Sequence, residues 1–508
     1  MGKNKQLLIN MTAQILGFVV SMCINFFLTP YVVENVGKEA YGFVGLANNF
    51  VDYANLVAVA LNSMAGTFIT IKLHKNDNEG ANKYFTSILL ANIILALITS
   101  IAGAFIVINI SRLVNVPNNI LFDVKILWAF VFANFGLKII GGTFEVATFA
   151  KNRLDLSSVR NIQSNLLKAI LLVLMYTFLT TKVWYIGLTS FLCSFYVLIW
   201  NGYYTKKLLP NIEIKKSYFD INAIIEIIKS GIWNTITRLG QLLNAGLDLL
   251  ITNLFIGSGP MGILSISKTV PNLIANINGM LASVFAPSLT IAYAKGDKKE
   301  ILYNLNQSSK IMGIVVNIPI AILIVYGREF YSLWMPKENG QVLQILSIIT
   351  ILCAMVECSI MSIYYLFTAM NRVKENSISM LVQGILNTII VIILLKTTDL
   401  GVYAVAGIST ILTMIRIITF SAPFAAKLLG LKWYTFFPNI LRSILAVVTL
   451  SIISYIIKQI IPAYSWITLI ISGSIAGVLG LIINFLLFLK KDDREIIFDI
   501  INKKINKN

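Results

Sequence analysis

The sequence predicts an all-α polytopic membrane protein of about fourteen transmembrane helices, and three observations carry that prediction. Of its 508 residues 57% are hydrophobic and 13% charged, with a mean hydropathy of +0.79, whereas a soluble domain is about one-quarter charged. Fourteen apolar runs are long enough to cross a bilayer, which takes roughly 20 residues. Residues 37–77 also recur, loosely, at 257–297 with a constant offset of 220 and no gap. Two related membrane segments in two halves of one chain are a transporter signature, with the site expected between the repeats.

Taken in order, spans at about 7–33, 41–71, 85–110, 121–148, 158–181 and 183–205 make an N-terminal six-helix bundle over 1–205. A basic linker occupies 206–221. Six more spans, at about 228–256, 262–293, 308–331, 340–367, 377–397 and 401–427, make a second bundle over 222–427. Two extra spans, 440–461 and 465–489, fill 428–489, and a basic tail covers 490–508. Several runs exceed the bilayer thickness, which implies tilt or protruding ends. An even number of spans per repeat makes the two repeats parallel, related by an axis along the membrane normal. From Ile214 to Lys229, Ile221, Ile224, Ile225 and Ile228 alternate with Asp220, Asn222, Glu226 and Lys229. That pattern predicts an amphipathic helix on the inner surface. The tail, with Ile496, Ile497, Ile500 and Ile501 among Lys503 and Lys504, reads the same way.

The net charge of +18 is topological rather than a nucleic-acid footprint. With the N-terminus inside, the inner segments hold 26 of the 41 Lys and Arg; the outer loops hold only Lys38, Arg112, Lys125, Lys182, Arg328, Lys337, Lys396 and Lys458. This positive-inside bias puts both termini in the cytoplasm. Cys23, Cys193, Cys353 and Cys358 all fall in spans and match no metal-ligand spacing. The single histidine, His74, is a loop residue among Lys72, Lys75 and Asp77, so no metal site and no cofactor is expected. No loop exceeds about twenty residues and no phosphate-cradling GxxxxGK[ST] motif occurs, which argues against an ATPase or an enzymatic module.

The repeat carries a polar face inside a hydrophobic helix. The first copy has Asn48, Asp52, Asn55 and Asn62; the second has Lys268, Asn272, Asn276 and Ser283, spaced near three or four residues. Charges inside a bilayer cost at least about 2.5–3.5 kcal/mol each, so they face a partner or a cavity. Eight lie deep: Asp52, Lys138, Lys168, Arg238, Asp248, Lys268, Glu357 and Arg416. One reading pairs Asp52 with Lys268 and Lys138 with Glu357 as structural glue. The other lines a watery cavity with them, and the surplus of cations then calls for an anionic ligand such as a phosphate. Candidate binding residues are Arg238, Lys268, Arg416, Lys138, Asp52, Asn48, Asn55, Asp248, Asn272 and Glu357. The span asparagines serve either as interhelical glue or as partners for sugar hydroxyls.

The run from Thr29-Pro30-Tyr31 to Gly37 and Tyr41-Gly42 resembles the polysaccharide-unit flippases of the multidrug/oligosaccharidyl-lipid/polysaccharide exporter superfamily. Leu247-Asp248, Gly257, Gly262 and Phe285-Ala286-Pro287 are similar to the same pattern in the second half. The resemblance covers the whole chain in a six-plus-six-plus-two plan. It implies two bundles in a V, alternating access, and an undecaprenyl-pyrophosphate-linked oligosaccharide moved from the inner to the outer leaflet of a bacterial cell membrane. Implied partners are that lipid-linked substrate, membrane lipids, and the glycosyltransferases and glycan polymerase on either side of the step. Two alternatives stay open: a cation-coupled multidrug exporter, disfavoured because span 1 (Leu7 to Val33) carries no acid, and a flippase for the peptidoglycan precursor lipid II.

Overall fold

A computed structural model describes residues 3–488; the basic tail expected over 490–508 lies outside the described residues. Within them every regular element is a helix, and no strand occurs. Among the described residues, twelve helices are long and apolar enough to cross a membrane. Two more segments coincide with expected spans but are more polar. Leu154–Phe178 carries Asn161, Asn165 and Lys168, and Ile221–Gln241 with its continuation Asp248–Phe255 carries Arg238 and Asp248. The number fourteen is thus approximate, and the two borderline helices are those loaded with polar groups.

The chain divides into two compact units, Met1–Ser265 and Ile266–Asn508. In the first, Leu121–Ala150 packs against Trp184–Leu208, Asn78–Ile108 and Lys38–His74. Its buried residues Val124, Leu127, Trp128, Val131 and Phe135 recur at three- and four-residue steps, which puts them on one face. Trp128 is fully buried, its ring 4.7 Å from that of Phe50. Ile221–Gln241 packs in this unit, along Lys38–His74. The approach is close: a Cβ on Gly231 would fall 2.4 Å from the Ala60 carbonyl oxygen.

The amphipathic surface helix expected over 214–229 is not a separate element. Asp220 accepts a hydrogen bond from the Asn222 N–H and caps one continuous helix, Ile221–Gln241. Ile221, Ile225 and Ile228 stay exposed on it while Ala223 and Ile227 are buried. Apolar periodicity predicted the helix; the cap set its start.

In the second unit, Lys298–Trp334 packs against Gly340–Ile351 and against the two C-terminal helices, Phe437–Ile460 and Trp466–Phe488. Polar contacts pin these last two. Ser443 Oγ donates to Asn317 Oδ1 at 3.0 Å, Tyr326 OH bonds Ser472 Oγ at 2.7 Å, and Lys458 Nζ reaches Glu329 at 2.7 Å. Apolar area gives little drive between helices in lipid, so such contacts set which helices meet.

The repeat is written into the backbone. Gly37 and Gly257, 220 residues apart, both have positive φ, +84° and +133°, and each precedes a helix. Asn76 and Gly296 are both left-handed, and Asp77 and Asp297 each follow and cap the next helix. A further match, at an offset of 219, joins Ala150-Lys151-Asn152-Arg153 to Ala369-Met370-Asn371-Arg372, with both asparagines at φ 53°.

Candidate functional site

The first unit forms a partly open cavity of about 490 Å³. Three helices contribute stripes at helical spacing. Leu121–Ala150 gives Asn134, Lys138 and Glu145; Leu154–Phe178 gives Asn161, Ser164, Asn165 and Lys168; Trp184–Leu208 gives Ser190, Ser194 and Asn201. Asn48 lines it from Lys38–His74. Lys138 and Glu145 stand exposed and Lys168 half-buried. Lys138 lies within electrostatic reach of both Glu145 and Lys168, and Asn201 Nδ2 donates to Glu145 Oε1 at 3.3 Å. The amide oxygen of Asn134 is buried without a hydrogen-bond partner. Two ammonium groups and one carboxylate thus line the cavity among amides and hydroxyls, a surface able to hold an anionic, hydroxyl-rich ligand.

Asp52 and Arg238 meet in the same unit, Arg238 Nη2 donating to Asp52 Oδ1 at 2.7 Å. The sequence suggests Lys268 as the partner of Asp52; the ion pair present is with Arg238. Four residues after Arg238 the helix opens into a π-helical turn, Leu242–Gly246. The Gly246 carbonyl accepts from both Asn49 Nδ2 and Tyr53 OH, each at 2.9 Å. A π-turn offsets the i→i−4 ladder, and here two side chains of the neighbouring helix bond that carbonyl. Asp248, just beyond, is buried, and Tyr53 feels both Asp52 and Asp248. Asn55 is half-buried on the same helix as Asp52. Asn62 is structural: it exchanges hydrogen bonds with Asn92, which also holds Thr143.

In the second unit Lys268 is half-buried at the junction between Ser258–Ser267 and Thr269–Ser283, its carbonyl accepting from the Asn272 N–H at 3.0 Å. The Asn272 side chain is exposed. Arg416, 6% exposed, ends Val402–Arg416 where a second π-turn, Ile417–Ser421, begins. Its guanidinium is engaged on every nitrogen. Nε donates to Gln383 at 2.5 Å, Nη1 to Asn376 and Ser421 at 3.3 Å each, and Nη2 to Tyr364 OH at 3.0 Å. Glu357, the last residue of the short helix Ala354–Glu357, lies within electrostatic reach of it.

Five of the deep charges, Arg238, Asp248, Lys268, Glu357 and Arg416, therefore sit at or within a turn of a helix break, where transporters commonly build their sites. Among the nominated residues the structure brings Asp52 to Arg238, Lys138 to Asn48 around one cavity, and Glu357 towards Arg416. Sequence reasoning missed Glu145, Asn134, Asn161, Asn165 and Asn201, and left Lys168 out of the nominated set. The seven-residue step from Lys138 to Glu145 and the Asn161/Asn165/Lys168 stripe were the available signals.

Residues 7–293 match the family model described as "Polysaccharide biosynthesis protein". The chain is 26% identical over 489 residues, 96% of its length and 97% of the relative's, to "uncharacterized membrane protein EpsK" of Bacillus subtilis (strain 168). Among solved structures it resembles an inward-facing multidrug resistance MATE family transporter of the MOP superfamily. That match has a TM-score of 0.67 at 12% identity, covering 83% of this chain and 98% of that one. A MOP superfamily transporter from Pyrococcus furiosus, for which a binding pocket of reverse polarity was taken to suggest a different function, matches with a TM-score of 0.55 at 13% identity, covering 84% and 94%. With a family match spanning more than half of its length, on the multi-pass helical fold of the MOP-superfamily transporters, this chain belongs to the polysaccharide biosynthesis protein family.

Proposed function

We propose that this protein is a flippase of the bacterial cell membrane, both termini cytoplasmic. It would carry an undecaprenyl-pyrophosphate-linked oligosaccharide unit from the inner to the outer leaflet by alternating access, for cell-surface polysaccharide. The observation that carries this reading is the 490 Å³ cavity, lined by two cations, Lys138 and Lys168, and a single carboxylate, Glu145, among amides and hydroxyls. Two lysines kept inside membrane helices at a cost of at least about 2.5–3.5 kcal/mol each need a return, and an anion supplies it. In the first unit Lys138, Lys168 and Arg238 take the pyrophosphate, Asn48 and Asn55 meet sugar hydroxyls, and Asp52 orients Arg238; Lys268 and Asn272 are candidates for the same two roles in the second unit. For Asp248 and Arg416 their burial, and for Glu357 its place beside Arg416, favour positioning of the helix breaks. A glycosyltransferase supplies the loaded lipid and a glycan polymerase consumes it. A potential negative inside favours outward movement by about 2.3 kcal/mol per uncompensated charge per 100 mV.

The test is deletion of the gene and complementation. Loss of the protein should accumulate lipid-linked oligosaccharide on the cytoplasmic face and remove surface glycan. Wild type should restore both, and Lys138→Ala with Lys168→Ala should not, at normal expression. Unchanged surface glycan with altered sensitivity to cationic drugs would replace this reading with a drug exporter.

A further inference from the structure

Beyond the cavity, the second unit carries a groove of about 550 Å³ formed by the π-turn Ile417–Ser421, one face of Ala422–Leu429 and the loop after it. Phe420, Pro423, Phe424, Leu431 and Trp433 line it, with Lys427 at its edge. The Phe420 and Phe424 rings stack at 5.1 Å and 16°, and Phe424 is backed by the buried Phe367 at 5.3 Å, so one wall is rigid. Trp433 is 63% exposed, and Tyr434 beside it is exposed too. On the rim, Gly430 closes the helix in the left-handed conformation, and Lys298 Nζ comes within 3.4 Å of where a Cβ on it would lie. Lys298 and Lys427 have no carboxylate partner among the described residues. The nearby acids are otherwise engaged, Asp297 capping the Lys299 and Glu300 N–H groups and Glu300 pairing with Lys295.

We propose that this groove is a docking site for an anionic phospholipid of the lysine-rich leaflet, its phosphodiester between Lys298 and Lys427 and one acyl chain along Phe420, Phe424 and Trp433. The argument is complementarity of both parts. A soluble anion would use the lysines and leave the aromatic wall in water, whereas an aromatic pair at a membrane interface flanked by unpaired cations matches a headgroup with its chain. The site is independent of the transport reading: it rests on membrane placement alone, and its failure would leave the flippase proposal untouched.

Full-length protein in detergent, titrated with phosphatidylglycerol or phosphatidylcholine, is examined by native mass spectrometry and thermal unfolding. Phosphatidylglycerol should be retained and should raise the Tm, and phosphatidylcholine should do neither. Each lysine near an anionic surface is worth about fivefold in affinity, so Lys298→Ala with Lys427→Ala should weaken retention about thirtyfold. Arg112→Ala with Lys396→Ala, which removes two exposed cations elsewhere, should not. Trp433→Ala should weaken retention with both lysines intact. Equal loss in the two double variants, or equal retention of both lipids, would overturn the site. Displacement of phosphatidylglycerol by inorganic phosphate, or by undecaprenyl phosphate at far lower concentration, would overturn the phospholipid assignment.

Discussion

Arg238 and Asp52 meet at 2.7 Å although their side chains are 37% and 45% exposed. An accessible ion pair contributes about 0–1 kcal/mol to stability, so packing stability does not explain two charges carried into a membrane span. If Asp52 serves to orient the guanidinium, Asp52→Asn should cost less than about 1 kcal/mol in unfolding and lower transport only partly. Arg238→Ala should abolish surface glycan at normal expression. An Arg238→Ala protein with full activity would end the phosphate role, and a large stability loss in Asp52→Asn would make the pair structural glue. The charges themselves were legible, because an isolated Lys or Asp in an apolar run stands out. Their partners were not: Asp52 and Arg238 are 186 residues apart, and one sequence holds no record of that pairing. Glu145 is not legible as a site residue because it lies near the end of its span, where a charge ordinarily reaches water.

At the scale of the element, the spans were legible and their interruptions were not. Ile417–Ser421 reads Ile-Ile-Thr-Phe-Ser, with neither Gly nor Pro to mark a break, so the sequence gives no warning of the π-turn after Arg416. Tertiary hydrogen bonds make that turn tolerable, and Arg416 is their hub. Removing the side chain would leave Gln383, Asn376, Ser421 and Tyr364 without their shared donor in a buried place. Arg416→Ala should therefore cost about 1–3 kcal/mol, read as a fall in Tm and in folded yield. Arg416→Lys should recover only part, since a single ammonium cannot reproduce a planar fork reaching four groups. An Arg416→Ala protein as stable as wild type but inactive in transport would show instead that the guanidinium binds substrate directly.

For the whole molecule, the duplicated plan was visible as eight identities in 41 positions, and the backbone explains why those residues persist. Gly37 has φ +84° and ψ 158°, a region open essentially to glycine alone and costing other residues about 1–3 kcal/mol. Gly257, at φ +133°, has the same restriction 220 residues later. The second match, Asn152-Arg153 with Asn371-Arg372, has an offset of 219 and so falls outside the ungapped register of the first. A common origin for the two helix entries predicts a common response. Gly37→Ala and Gly257→Ala should each lower stability by about 1–3 kcal/mol, seen as similar drops in Tm of the purified protein, and their double variant should be close to additive. Gly202→Ala is the contrast: it lies within Trp184–Leu208 with nothing within 4 Å of an added Cβ. There alanine should be neutral or stabilise by up to about 1 kcal/mol. Should Gly37→Ala and Gly257→Ala behave like Gly202→Ala, the positive-φ entries would not be the feature that the two halves have kept in common.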